Sequence, residues 1–401
     1  MTTPFEVNPP TRCFRSEHDY MVRPSTNSIG PCCKVWIPIN QIDKYHTLVS
    51  DLKSGIRNPL CAMCWNAEDN NETSWRTIGN MFVRDVGTTH RNFELVMHNT
   101  CDLACLYCDP AVSSTFSQEY FSPKNTIKFI NAGWKKPILS ESFDMYELAF
   151  EHLDKLSEEA LHNPITVFTS LIGGEPLLCK FVLNGGITTL VNRFYANGNT
   201  RPIIINLTTN GNTPLPIFNK VCDELKALHE VWPHMIVEIA ISNESTFKNS
   251  EYIRYGLKWD YYVDIVKRWV DLDWAIIRFS MTVTPCSIKD TAGFITEMLS
   301  ICNRQVQFGV NKVYYPENQN ITLLDNSFVH YIDEAIEVVK ANQAAMLFPD
   351  NTLERLYQLK SEIGTSTHTK SSMLQLFEYA KVNRGLDIVD VNPELYNYII
   401  S

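Results

Sequence analysis

Cys101-Asp-Leu-Ala-Cys105-Leu-Tyr-Cys108 places three thiols within eight residues. This C-x₃-C-x₂-C run follows Phe93-Glu-Leu-Val-Met97, whose alternating apolar residues read as a strand. The thiols therefore occupy a loop leaving a strand, where α/β folds place chemistry. Three clustered thiolates cannot fill four metal positions. A [4Fe–4S] cluster held by three cysteines leaves one iron open to a ligand. Zinc needs a fourth ligand, which Asp109 or His98 could offer. Both readings fit this motif taken alone.

A second motif follows another strand. Thr166-Val-Phe-Thr-Ser-Leu-Ile172 is apolar enough for a buried strand and runs directly into Gly173-Gly174-Glu175-Pro176. The two glycines let backbone approach a ligand closely, and Glu175 puts a carboxylate at the strand end. Alone, this is an ordinary strand-to-helix turn. In series with the three-cysteine loop it is much more specific.

Together these motifs resemble the radical S-adenosylmethionine (SAM) superfamily, down to the aromatic Tyr107 before the last cysteine. Later stretches fit the pattern in order. Ile203-Ile-Ile-Asn-Leu-Thr-Thr-Asn-Gly211 is similar to a third barrel strand and Val237-Glu-Ile-Ala-Ile-Ser242 to a fourth. Arg278-Phe-Ser-Met-Thr-Val-Thr284 is similar to a fifth strand, and residues 306–315 to a sixth. Upstream, Cys13, Gly30-Pro31-Cys32-Cys33 and Cys61-Ala-Met-Cys64, followed by Glu68, Ser74 and Arg76, resemble the twitch-domain radical SAM proteins. Ser250-Glu-Tyr-Ile-Arg-Tyr-Gly-Leu-Lys-Trp-Asp260 is similar to a stretch those proteins carry after the fourth strand. The ending, Arg384-Gly385 and Val391-Asn-Pro-Glu-Leu395, is similar as well.

The resemblance implies an incomplete TIM-like (β/α)₆ barrel, and the alternation of strands and helices between about 92 and 315 independently predicts a parallel sheet with crossover helices. Helices are expected at 143–161, 217–231, 261–272 and 291–302, then at about 325–344, 350–362 and 371–382. The expected organisation is a cysteine-rich auxiliary-cluster region over 1–90, the barrel over 91–316 and a helical C-terminal region over 317–401. Residues 1 to about 30, rich in Pro, Ser, Thr and Asn, read as an irregular arm. Residues 39–54 read as one short helix, ended by Gly55 and Pro59. A lobe this small has little core of its own, so metal binding should contribute to its folding.

Composition narrows the classes. The chain has 401 residues, a net charge of −10, and no long run of Lys and Arg beyond the short Lys135-Lys136 pair. A nucleic-acid partner is therefore disfavoured. No apolar run reaches the about 18 residues of a membrane span, and the start lacks a secretory pattern, so the expected location is cytoplasmic. Of the twelve cysteines, eight lie in the first 108 residues. In a reducing compartment that clustering favours metal over disulfides. Cys179, Cys222, Cys286 and Cys302 lie on apolar segments and read as inert buried thiols, although Cys179 and Cys286 are also placed to donate hydrogen to a radical.

By resemblance, Cys101, Cys105 and Cys108 hold a [4Fe–4S] cluster whose open iron chelates SAM. Gly173, Gly174 and Glu175 meet the SAM amino group, Ser242 a ribose hydroxyl and Arg254 the SAM carboxylate. Read as structure alone, Ser242 is a capped strand end and Arg254 a surface salt bridge. Thr208, Asn210 and Thr284 sit at strand ends and line the pocket at most. Tyr314-Tyr315-Pro316 is a candidate adenine stack. Cys13, Cys32, Cys61 and Cys64, with Cys33 as the alternative to Cys32, would hold an auxiliary [4Fe–4S] cluster; structural zinc fits their spacing equally. The implied activity is hydrogen abstraction from an unactivated C–H on a peptide or protein side chain, with flavodoxin or ferredoxin as electron donor. Modification of a nucleotide, modified base or small metabolite is the alternative enzyme reading. A zinc-stabilised binding protein is the non-enzyme reading.

Overall fold

A computed structural model describes residues 11–70, 74–77, 79–80, 89–125, 127, 134, 136–137, 143–313, 316–365 and 370–401. Its strands are β1 (Asp19–Arg23), β2 (Ser28–Cys32), β3 (Val35–Pro38), β4 (His90–Val96), β5 (Ala104–Cys105), β6 (Thr166–Ile172), β7 (Ile203–Thr209), β8 (Ile236–Ser242), β9 (Arg254–Tyr255), β10 (Ile276–Val283) and β11 (Gln307–Lys312). The chain is mixed α/β and divides into two compact units. One comprises Met1–His98, Ile138–Asn206 and Lys220–Ile236; the other comprises Asn99–Pro137, Leu207–Asn219 and Val237–Ser401.

In the first unit β4 runs parallel to β6, from His90 opposite Thr166 to Val96 opposite Ile172. The β6 residues Val167 and Leu171, which share one face of the strand, are fully buried. The long helix Phe143–His162 leads into β6, and Gly186–Tyr195 follows it. These two helices are tied by Arg193, which pairs with both Glu147 and Asp154.

Of the irregular arm expected over residues 1 to about 30, residues 1–10 lie outside the described residues, and residues 14–30 form regular elements instead. Residues 14–18 are helical, and β1 runs parallel to β4, with Asp19 opposite Asn92 and Val22 opposite Leu95. β2 then pairs antiparallel with β1 and with β3. Asp19-Tyr-Met-Val-Arg23 has an apolar centre buried on consecutive residues, which marks an interior strand rather than an alternating one. Within the described part, Pro24, Ser25 and Asn27 belong to a turn: Pro24 starts a 3₁₀ turn and Asn27 closes it at φ 49°. Gly30 is required where β2 meets β3, because a Cβ there would lie 2.0 Å from the Val35 carbonyl oxygen.

The cysteine-rich segment also has more core than its size suggests. Val35, Ile37, Leu48, Leu52 and Trp65 form a buried cluster, with Cys13, Cys32 and Cys61 packed against it. The expected helix at 39–54 forms as a 3₁₀ turn, Ile39–Gln41, followed by the helix Ile42–Lys53.

In the second unit β8, β10 and β11 are parallel. Ile276 to Ser280 lie opposite Glu238 to Ser242, and Arg278 to Val283 lie opposite Gln307 to Lys312. Ile277, Phe279, Met281 and Val283 are fully buried on alternate positions of β10. The helices Trp259–Val270 and Thr291–Ile301 precede and follow β10. C-terminal helices run over Val329–Ala341, Pro349–Glu362, Ser371–Arg384 and Pro393–Ile400. β5 and β9 form a separate antiparallel ribbon. The sixth expected strand stops at Lys312, and Tyr314 and Tyr315 lie outside the described residues. No described helix is long and apolar enough to cross a membrane.

Candidate functional site

The three-cysteine loop lies in the second unit and is held by backbone and side-chain bonds on several sides. Cys105 sits opposite Arg254 in the β5–β9 ribbon, and the Leu106 N–H donates to the Ile253 carbonyl at 2.8 Å. The Ser114 and Thr115 hydroxyls donate to the Cys101 carbonyl at 3.1 and 2.6 Å, and the Cys101 N–H donates to Ser114 Oγ. Ser113 donates to the Leu103 carbonyl at 2.6 Å and caps the helix Ser114–Tyr120. So many satisfied polar groups leave the loop little freedom.

Asp102, between the first two cysteines, is clamped from the end of β7. Asn210 Nδ2 donates to its Oδ1 at 2.7 Å and Asn212 Nδ2 to its Oδ2 at 2.8 Å. Asn210 Nδ2 also reaches Cys101 Sγ at 3.8 Å. Asn210 is thus a loop-positioning residue rather than a plain turn residue, and Asp102 and Asn212 are members of the site that the motif reading passed over. Thr284 is fully buried, and its N–H donates to Ser287 Oγ at the end of β10.

Behind the loop lies a buried ion pair. Arg254 Nε and Nη2 donate to Glu244 Oε1 and Oε2 at 3.1 and 2.7 Å, with 4% and 0% of the two side chains exposed. The Tyr107 hydroxyl donates to Glu244 Oε2 at 3.0 Å, and the Arg254 guanidinium lies over the Tyr107 ring. The surface ion pair that composition alone suggests for Arg254 is instead fully desolvated. Its partner stands two residues beyond Ser242, which is half-buried at the end of β8. Glu244 could have been picked out only as an acidic residue just past a strand end.

The thiols themselves crowd. Burial pushes the Cys108 thiol well up, and the nearby Cys105 and Cys101 push it further. Burial also raises Cys105, while the Arg254 charge opposes that rise. Ionising Cys108 is thus penalised by burial and by the neighbouring thiols, unless a metal cation offsets the charge. That donor set suits a group bound through three thiolates.

Gly173, Gly174 and Glu175 lie in the first unit, at the end of β6. The Met97 N–H donates to the Ile172 carbonyl at 2.7 Å and the Gly174 N–H to the His98 carbonyl at 3.3 Å. Gly173 has φ +137°, and a Cβ there would stand 3.1 Å from both Met97 N and O and 3.3 Å from His98 O. Only glycine fits that approach. Glu175 is fully buried and accepts from the Leu177 N–H, capping a short 3₁₀ turn. Cys179 is buried against the Glu175 and His98 carbonyls, so its surroundings are those of a packed thiol. Cys286 is buried in the second unit, its thiol pushed up to about 12 by burial. Cys222 and Cys302 are half-buried rather than buried.

Cys13, Cys32, Cys61 and Cys64 line one cavity of the first unit, together with Trp75 and Arg76. Cys33, next in sequence to Cys32, is exposed. Burial pushes Cys13 and Cys61 up to about 12. For Cys61 the charges of Cys13, Cys32 and Cys64 add to the rise. Arg76 closes this wall: Nε and Nη2 bind Glu68 at 3.0 and 2.5 Å, Nη1 donates to the Arg12 carbonyl, and Ser74 Oγ donates to Glu68. Among the described residues no group of three or more His, Cys, Asp or Glu side chains is placed to hold a single metal ion.

No family model matches the chain, and no curated protein matches it. Among solved structures it is similar to "Native anSMEcpe with bound AdoMet", with TM-score 0.43 and 13% identity over 70% of this chain and 68% of that one. The same protein "with bound AdoMet and Cp18Cys peptide" gives TM-score 0.43 at 13% identity, over 71% and 68%. Methylornithine synthase (PylB) gives TM-score 0.34 at 12% identity, over 77% and 81%. At these values the likenesses carry no argument about chemistry.

Proposed function

We propose that this chain is a radical SAM enzyme, with a [4Fe–4S] cluster on Cys101, Cys105 and Cys108 and a partial (β/α)₆ barrel around it. The observation that carries the reading is the C-x₃-C-x₂-C loop itself, whose three cysteines are fixed by the β5–β9 ribbon, the Asn210–Asp102–Asn212 clamp and the Tyr107–Glu244 bond. When bound, the cluster and SAM supply one-electron cleavage of a carbon–sulfur bond and a primary carbon radical able to take hydrogen from an unactivated C–H.

The chain's own residues orient and enclose that chemistry. The likeness of the Gly173-Gly174-Glu175 turn to that of radical SAM proteins supports assigning its backbone to the SAM amino group, with Glu175 as the charge partner. Ser242, at the end of β8, contacts a ribose hydroxyl. The proposed substrate is a peptide or protein side chain, by analogy with peptide-modifying proteins that carry auxiliary-cluster regions. The electron comes from a flavodoxin or ferredoxin.

Cys13, Cys32, Cys61 and Cys64 are proposed to hold the auxiliary [4Fe–4S] cluster; their common cavity supports this and favours Cys32 over the exposed Cys33. With four thiolates on the metal, the site would serve as an electron relay. The test is anaerobic reconstitution of wild type and a Cys105→Ser variant. The wild type should bind iron and sulfide, and SAM should change its reduced EPR signal. In the variant the SAM-responsive signal should vanish while auxiliary iron persists. Wild-type protein that takes up only zinc and does not respond to SAM would overturn the reading.

A further inference from the structure

We propose that Glu244 and Arg254 are positioning residues: a buried, mutually neutralising pair that holds Tyr107 and sets the reduction potential of the cluster on Cys101, Cys105 and Cys108. This rests on the radical SAM reading above. It also replaces the role that resemblance implies for Arg254, because the guanidinium is committed edge-on to Glu244 through two nitrogens.

The geometry supports a direct electrostatic effect. Arg254 lies opposite Cys105 in an antiparallel ribbon, and Glu244 binds the hydroxyl of Tyr107, the residue between Cys105 and Cys108 in the loop. The pair is almost completely buried, so water does not screen either charge from the sulfurs. Burying two charges is costly and adds little net stability over apolar side chains of the same size. Their value here lies in what they fix. Tyr107 is held by its hydroxyl and by the cation over its ring, and the two charges offset one another beside Cys105, where Arg384 and Asp102 also act. Charge and hydrogen bonding around cluster sulfurs are among the terms that set iron–sulfur potentials.

Reduction adds one electron to the cluster and breaks no bond; in the experiment dithionite supplies that electron through mediators. An uncompensated positive charge nearby favours the reduced state, and an uncompensated negative charge opposes it. The test is a mediated EPR titration of the Cys101–Cys105–Cys108 cluster in the reconstituted full chain. Glu244→Gln keeps an oxygen acceptor for Tyr107 but leaves Arg254 unbalanced, so its midpoint should shift positive. Arg254→Gln should shift it negative. The double variant Glu244→Gln/Arg254→Gln restores neutrality and should return close to wild type. Tyr107→Phe removes only a hydroxyl that partly neutralises Glu244, and should shift the midpoint modestly negative while keeping the cluster.

A merely structural role predicts no such ordering. Midpoints that do not move, or that move in the same direction in both single variants, overturn the proposal. If the single variants fail to hold iron, the double variant and Tyr107→Phe decide it: a double variant far from wild type, or an unshifted Tyr107→Phe, counts against. Wild type with a SAM-responsive cluster but unordered potentials sinks this inference alone. Wild type without a cluster sinks the functional reading with it.

Discussion

Replacing Gly173 with alanine tests the turn after β6, and its cost divides into two parts that a second variant separates. The backbone at Gly173 has φ +137°, a conformation side-chain-bearing residues rarely adopt, and holding alanine there costs about 1–3 kcal/mol. The new Cβ would also press on Met97 N and O at 3.1 Å and on His98 O at 3.3 Å. Those atoms cannot yield as a flexible side chain would, since the Met97 N–H bonds Ile172 and the His98 carbonyl accepts from Gly174. Straining one of these bonds adds about 0.5–1.5 kcal/mol, for a total of about 2–4 kcal/mol. Gly185 supplies the comparison: its φ is +81°, and a Cβ there would meet nothing within 4 Å. Gly185→Ala should therefore cost only the backbone part, about 1 kcal/mol. Urea unfolding followed by circular dichroism reads both, and isothermal titration with SAM reads the site. Gly173→Ala should lose more stability than Gly185→Ala and should weaken SAM binding, which Gly185→Ala leaves intact. Equal losses in the two variants would refute the close-approach reasoning.

Three further outcomes follow from the same structure. Glu94 is pushed up to about 7, first by burial and then by the charge of Asp19, against an ordinary value of 4.5. The native state thus holds its proton more tightly than the unfolded chain, so this group's contribution is most favourable below about 4.5 and is lost as pH rises to about 7. Glu94→Gln should flatten that limb of the stability–pH curve and stabilise the protein at pH 8 by on the order of 2–3 kcal/mol; an unchanged slope in urea titrations would count against it. Arg76→Ala removes the partner of a largely buried Glu68 and the bond to the Arg12 carbonyl, and should cost about 2–4 kcal/mol. It should also reduce auxiliary-site metal per chain relative to Arg57→Ala, an exposed pair; equal metal content in the two would detach Arg76 from that site. Asn210→Ala together with Asn212→Ala frees both oxygens of Asp102, so amide exchange over residues 101–108 should quicken, and unchanged protection would show the clamp to be idle.

The elements most legible in the sequence were those whose apolar pattern has one explanation. Thr166–Ile172 is rich in β-branched and aromatic residues and ends at two glycines, and it forms a strand over those same residues. The helix at 291–302 forms over Thr291–Ile301 for a similar reason. β1 and β2 escaped because their residues carry contrary signals: a proline inside Ser-Ile-Gly-Pro-Cys, and three consecutive buried residues in β1 instead of an alternating pattern. Their strand character comes from pairing with β4 and β3, which local propensity does not encode.

In the candidate site, cysteine spacing was visible because metal ligation constrains it along the chain. Asp102, Asn212 and Glu244 were not. Their partners lie 110, 108 and 137 positions away or only ten residues on in Arg254, and a single sequence gives no sign of which polar residues will meet. Arg254 illustrates the limit: its type and position suggested a charged contact, and only the fold reveals that Glu244 already makes it.

On this reading Cys101, Cys105 and Cys108 hold a cluster that meets SAM. The most direct measurement is EPR of the anaerobically reconstituted, dithionite-reduced protein with and without SAM, alongside iron, sulfide and zinc analysis. The expected result is about eight irons per chain, two clusters of four, and a SAM-responsive reduced signal that is absent from Cys105→Ser. Protein that holds zinc without iron, or iron whose signal ignores SAM, would contradict it.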